Sequence, residues 1–238
     1  MSKPLPYIEI NGVPPSSEIR ASLALDGRPQ LLAFSAGKDS VAAWLALREA
    51  GVEVVPFYLW YVPRLGFVER TLDYFEDYFG QRIARYPHPS FYRWLNSFTF
   101  QAPERLAIIE AAKLPEPDYR FVADCVRRDH NLAEDTWECD GVRAADSVIR
   151  RTALTKNGAL RGSTLKASVV WDWRKHHVMS TLAEHSIPLP PDYEWFGRSF
   201  DGIGYQFLPA IKEHAPDDYQ RILDWFPLAD LELIRCGL

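Results

Sequence analysis

The sequence predicts an α/β protein: a doubly wound, mostly parallel sheet with a helical C-terminal cap. Three observations carry this. Short apolar runs alternate with helical-period segments through the first two-thirds of the 238 residues, as in successive βαβ units. Apolar residues make up 47% and charged residues 25% of the chain, enough for a large core and against wholesale disorder. The last third has a helical pattern, is rich in aromatic residues and is punctuated by prolines.

Taken in order, residues 1–28 contain Pro4, Pro6, Pro14 and Pro15 and a short helix expected at 17–25. They form an N-terminal extension expected to pack on the sheet edge. An apolar run at 30–34 is the first strand, and the near-uniform helical run 38–50 follows it, stopped by Gly51. Residues 52–59 read as the second strand. Pro56 is awkward in a central strand and marks an end or a bulge. Residues 66–79 place Phe67, Leu72, Phe75 and Phe79 at helical spacing. A short third strand is expected at 82–86, closed by Pro87-His88-Pro89. Helices interrupted by Pro103, Pro115 and Pro117 fill 90–126. Residues 136–142 are a further strand and 168–170 another extended run. From 174 on the pattern is helical. The expected organisation is an extension (1–28), an α/β domain (29–165) and a helical cap (166–238) lying over the carboxyl edge of the sheet, where ligands of open α/β sheets bind.

The net charge of −5 argues against a nonspecific nucleic-acid binder. Arg120, Arg127, Arg128, Arg143, Arg150, Arg151 and Arg161 are either a local basic groove or a scattered solvated surface. No apolar run approaches membrane-spanning length, and Met1 to Pro6 contain no signal-peptide core. The expectation is a soluble cytoplasmic protein without a membrane partner. Cys125, Cys139 and Cys236 form no Cys-x-x-Cys pair, so neither a zinc site nor an iron–sulfur cluster is expected. His176 and His177 point about 100° apart on a helix and do not chelate from one face.

The chemistry concentrates at Phe34-Ser35-Ala36-Gly37-Lys38-Asp39-Ser40-Val41. Free N–H groups at a helix N-terminus, backed by the helix dipole, favour an anion such as phosphate. Gly37 allows close backbone approach, Ser35 and Ser40 add hydroxyl donors, and Lys38 adds a positive charge. A second stretch runs from Asp140 through Gly141, Val142, Arg143, Ala144, Ala145, Asp146 and Ser147 to Arg150 and Arg151. Gly141 ends a strand where backbone can approach a ligand. Arg143 and Arg150 can present planar guanidinium forks to phosphate oxygens. A third stretch holds Trp171-Asp172-Trp173, then Ile187-Pro188-Leu189-Pro190-Pro191-Asp192-Tyr193, then Arg198-Ser199-Phe200-Asp201-Gly202.

The first stretch resembles the S-G-G-x-D-S loop of the PP-loop ATP pyrophosphatases, with Ala36 in place of the first Gly. The second resembles the G-x-R-x-x-E-S-x-x-R segment of the phosphoadenosine-phosphosulfate (PAPS) reductase-like branch, with Asp146 where Glu is usual. The third resembles the Trp-rich strand, I-P-x-x-P-x-Y turn and Arg-x-x-x-Gly segment of that branch. The likeness covers roughly residues 30–205. It implies an adenine nucleotide alpha hydrolase-like fold and an ATP-binding enzyme that cleaves ATP to AMP and pyrophosphate, adenylylating an unidentified acceptor. In that reading Ser35, Ala36, Gly37, Lys38, Asp39 and Ser40 cradle the β,γ-pyrophosphate, Asp39 holds Mg²⁺, and Gly141, Arg143 and Arg150 serve the nucleotide or acceptor. Lys38, Asp39 and Arg143 are the catalytic residues. Adenine lies over Ala33, Phe34 and Tyr58. The retained Lys38, Asp39 and Ser40 favour ATP cleavage over a thioredoxin-dependent PAPS reductase that uses Cys236. A non-catalytic nucleotide-binding module is the third reading. A homo-oligomer, a partner subunit and a nucleic-acid acceptor stay open.

Overall fold

The structure, a computed structural model, describes residues 5–235 and Gly237. In the first part of the chain the elements are α1 (Ser16–Asp26), β1 (Gln30–Ala33), α2 (Lys38–Glu49), β2 (Val54–Trp60), α3 (Gly66–Phe79), β3 (Ala84–Pro87), α4 (Pro89–Asn96), α5 (Pro103–Ala112) and α6 (Tyr119–Asp129). Then come β4 (Glu138–Asp140), α7 (Val148–Asn157), β5 (Leu160–Arg161), β6 (Lys166–Ser168), α8 (Lys175–Glu184), α9 (Pro191–Phe196), α10 (Leu208–His214), α11 (Pro216–Trp225) and α12 (Leu231–Arg235). The protein is therefore α/β. Its six-stranded sheet has the order β3-β2-β1-β4-β6-β5 and is flanked by helices, an arrangement compatible with double winding. β1 is parallel to both β2 and β4, β4 is parallel to β6, and β5 is antiparallel to β6. Among the described residues no helix is long and apolar enough to cross a membrane.

The strand order decides where a ligand site belongs. The chain winds outward from β1 through β2 to β3, then returns to the other side of β1 with β4. This reversal makes a topological switch point, and the crevice outside the carboxyl ends of two such strands is where open α/β sheets bind ligands. Here it lies between the segments that follow β1 and β4.

The chain divides into two compact units. The first comprises residues 5–58 and Ala123–Leu189; the second comprises Leu59–Val122 and the residues from Pro190 on. α1 belongs to the first unit. In that unit Leu31 and Leu32 of β1 are fully buried. α2 is buried around its circumference from Ser40 to Leu47, as expected of a helix apolar on every side. Pro56 lies inside β2, in register with Leu32, and not at a strand end. Gln30 N–H donates to Glu53 O and Phe34 N–H to Phe57 O. Residues 53 and 57 therefore face β1, and the N–H that Pro56 lacks is one that would point away from β1. That leaves the β1–β2 ladder intact. β5 and β6 together form a short hairpin that the sequence pattern did not resolve.

In the second unit α3 begins on a tertiary carboxylate. Asp218 accepts from Gly66 N–H at 2.6 Å and from Phe67 N–H at 2.9 Å, neutralising the helix's positive end. Phe67 meets Phe200 and Trp195, and Phe207 meets Phe196 and Phe200, edge-on or tilted. Pro89, Pro103, Pro191 and Pro216 stand at the first position of α4, α5, α9 and α11. There the missing N–H costs no hydrogen bond, so these prolines start helices.

Candidate functional site: an anion-binding turn at the strand switch point

The turn between β1 and α2 is held by its own hydroxyls. Ser40 Oγ donates to Gly37 O at 2.9 Å and accepts from Ser35 N–H at 3.2 Å, while Ser35 Oγ lies 3.2 Å from it. Ser40 is buried and Ser35 exposed. The hydroxyl expected to meet a phosphate at position 40 instead shapes the turn. Ala36 has φ 57°, in the left-handed region where a Cβ costs about 1–2 kcal/mol. This is the position where the resembling family carries glycine. Gly37 caps α2, and no side chain caps it. The first-turn N–H groups of an α-helix have no intrahelical acceptors.

Gly141 ends β4 against this turn. A Cβ at Gly141 would lie 2.6 Å from Asp39 O and 2.9 Å from Ser40 N. Its lack of a side chain serves close approach to the first turn of α2, where a ligand contact was expected. The same packing carries Arg143 to Asp39. Arg143 Nε sits 2.9 Å from Asp39 Oδ1, and Lys38 Nζ 2.7 Å from Asp39 Oδ2. Arg143 Nη2 donates to Asp146 Oδ1 at 2.5 Å, and Arg150 Nη1 to Asp146 Oδ2 at 2.6 Å. Lys38, Asp39, Arg143, Asp146 and Arg150 are therefore one linked chain of charges with Arg143 at its centre and Asp146 joining the two arginines. Sequence reasoning assigned Asp146 no role. Its spacing of three from Arg143 and four from Arg150 on either side was the available signal.

Arg143 is the most unusual member. Its side chain is 4% exposed, and Nη1 is buried with no hydrogen-bond partner. Nε and Asp39 Oδ1 are close enough to pair as ions but are not aligned as a hydrogen bond. A buried donor left unsatisfied costs about 1–3 kcal/mol, more when charged, so each such group calls for an explanation. A ligand oxyanion would supply one. Arg150, half-exposed, stands at the mouth of the network.

Asp39 is the residue expected to hold a metal. Its buried Oδ1 lacks a hydrogen-bond partner. Among the described residues no group of three or more His, Cys, Asp or Glu side chains is placed to hold an ion. Both Asp39 oxygens face cationic side chains, Lys38 at 2.7 Å and Arg143 at 2.9 Å.

Other expected site residues lie elsewhere. Phe34 is 2% exposed and meets Trp44 edge-on at 5.1 Å, and Tyr58 is 5% exposed. Both rings belong to the core, so neither offers a face to a base; Ala33, in register with Phe57, is only half-buried. Arg127 is buried on Thr136 O and Asp124, and Arg161 pairs with Asp140. With Arg143 buried as well, these arginines serve separate networks and do not line one basic groove. Cys139 is fully buried in β4, and burial, then the neighbouring Asp140 and Glu138 charges, push its thiol pKa up. Cys236, the residue of the reductase reading, lies outside the described residues.

Comparison of the chain with models of known protein families gives no match, and comparison with curated proteins gives none.

Proposed function

We propose that the protein binds ATP on the first turn of α2 and cleaves its α–β bond, releasing pyrophosphate and transferring the AMP moiety to an acceptor, from which AMP leaves in a later step, within a PP-loop, adenine nucleotide alpha hydrolase-like fold. The observation that carries the reading is Arg143: a buried guanidinium with an unsatisfied Nη1, pressed against the N-terminus of α2 at the switch point of the sheet.

Each residue then has a role. N–H groups of residues 36–40 meet the outer two phosphoryl groups. Lys38 neutralises charge that grows on the pyrophosphate as the α–β bond breaks. Arg143 donates Nη1 to a phosphate oxygen, and Arg150 guides the incoming anion. Asp146 holds both guanidiniums in place. Asp39 would hold the Mg²⁺ that arrives with the nucleotide; that ion would offset the negative charge of the phosphates. The base lies on Ala33 and not on the buried Phe34 and Tyr58 rings. Such a site works by positioning and electrostatic stabilisation, as phosphoryl transfer generally does.

The test is Lys38→Ala. Losing a charge-assisted hydrogen bond is worth about 1.5–3 kcal/mol, or roughly 10- to 150-fold in affinity. The variant is expected to keep its circular dichroism spectrum and lose ATP affinity by that factor, with pyrophosphate release falling further. Unchanged ATP affinity removes Lys38 from the site.

A further inference from the structure

Arg143 is flanked by two backbone anchors. On one side Asp140 O accepts from Val169 N–H at 3.2 Å; on the other Ala144 N–H donates to Trp171 O at 2.8 Å. The segment after β6 therefore fixes the stretch 140–144 at both ends. That segment is itself held from the far N-terminal end of the chain. Ile8 N–H donates to Asp172 O at 2.8 Å. The Asp172 carboxylate accepts from Ser16 N–H at 2.9 Å and Ser16 Oγ at 2.5 Å. Trp171 Nε1 donates to Pro14 O at 3.0 Å, and Arg20 Nη1 to Val169 O at 2.5 Å.

Ring contacts add to these: Tyr7 stacks on His177 at 4.1 Å, and the Arg20 guanidinium lies 5.6 Å from the centre of the Trp173 ring. A cavity of about 620 Å³ lies between the N-terminal stretch and Trp171–Trp173. Hydrogen bonds hold the stretch across this hollow, and they converge on the residues that anchor 140–144. Ser16 and Asp172 are both nearly fully buried, and Asp172 also supplies the negative charge that the N-terminus of α1 favours.

We propose that residues 6–20 act as a strap that positions Arg143, with Ser16 and Asp172 as positioning residues acting through Trp171 O and Ala144 N. The inference rests on the nucleotide reading for the use of Arg143, not for its geometry. Releasing the Ser16–Asp172 pair loosens Trp171, then Ala144, and Arg143 no longer meets the anion in one fixed place.

A double-mutant cycle tests this. ATP affinity is measured by calorimetry for the full chain, Ser16→Ala, Arg143→Lys and the double variant, at a temperature where all are folded. Coupling of this kind is worth roughly 2- to 30-fold. Ser16→Ala is expected to weaken ATP binding at least threefold in the native background and less than 1.5-fold beside Arg143→Lys. Asp172→Asn, which keeps an acceptor oxygen, is expected to lose less than Asp172→Ala. Equal losses in both backgrounds, or none, overturn the strap's role. Absence of ATP binding by the unmodified protein overturns the nucleotide reading instead. The positioning claim is then decided by the Arg143 Nε–H resonance: a shift or broadening in Ser16→Ala supports it, and an unchanged signal refutes it.

Discussion

Gly141→Ala is the sharpest perturbation available to this fold. The added Cβ falls 2.6 Å from Asp39 O, 2.7 Å from Asp39 C and 2.9 Å from Ser40 N, where 3.4 Å begins ordinary contact. The shortfall against Asp39 O is about 0.8 Å. All three neighbours are backbone atoms at the start of α2, so no side chain can rotate aside. Overpacking of a closed site costs about 1–3 kcal/mol, and a rigid neighbour places this variant near 3 kcal/mol. For a chain of this size each kcal/mol moves the melting temperature by about 2–4 °C, so a fall of roughly 6–12 °C is expected. The relief must come from separating 141–143 from the turn, which moves Arg143 away from Asp39 and from the proposed nucleotide. ATP affinity is expected to fall at least tenfold beside that loss of stability. Thermal unfolding followed by circular dichroism, with calorimetric ATP titration at low temperature, reads both. A variant that melts within about 1 °C of the native protein refutes the packing argument. A variant that loses only affinity shows that Gly141 makes room for ligand and not for the turn.

Two further outcomes follow from the same physics. Ala36→Gly relieves the left-handed strain at φ 57° and adds unfolded-state entropy, for a net gain of about 0.5–1 kcal/mol; a lower melting temperature contradicts the strain. His88 caps α4 by accepting from Ser90 N–H at 3.0 Å through Nδ1. Burial, then the nearby Arg93 charge, lower its pKa from 6.5 to about 4. The unfolded chain thus binds more protons than the native one between those values. The stability from neutral His88 is full above about pH 6.5 and is lost as pH falls toward 4, up to about 3 kcal/mol. Urea unfolding across that range is expected to show the slope in the native protein and a flatter profile in His88→Asn, whose side chain still caps. Equal slopes refute the assignment.

Local chemistry made part of this molecule legible in advance. The strand, small-residue turn and apolar helix around 30–50 announce themselves because Gly, Ser and Lys cluster where the apolar period changes from strand-like to helical. α3 keeps the bounds expected from its phenylalanine spacing. Arg143 was expected at the site for its charge; its burial and its ion pair with Asp39 come from β4 lying next to β1, which no local pattern encodes. Ser40 and Gly141 shape and pack the turn, a task no sequence pattern separates from phosphate contact, because both ask for the same small or hydroxylated side chains. The Ser16–Asp172 pair joins residues 156 apart and left no local trace. The β5–β6 hairpin pairs strands of only two and three residues, too short for a period to appear.

The central claim is that the first turn of α2 and Arg143 grip the outer phosphoryl groups of a nucleotide. Parallel calorimetric titrations of the 238-residue chain with ATP and with AMP, both in Mg²⁺, test it most directly. Saturable ATP binding at least tenfold tighter than AMP is the predicted result. Equal affinities, or no binding of either nucleotide, contradict it.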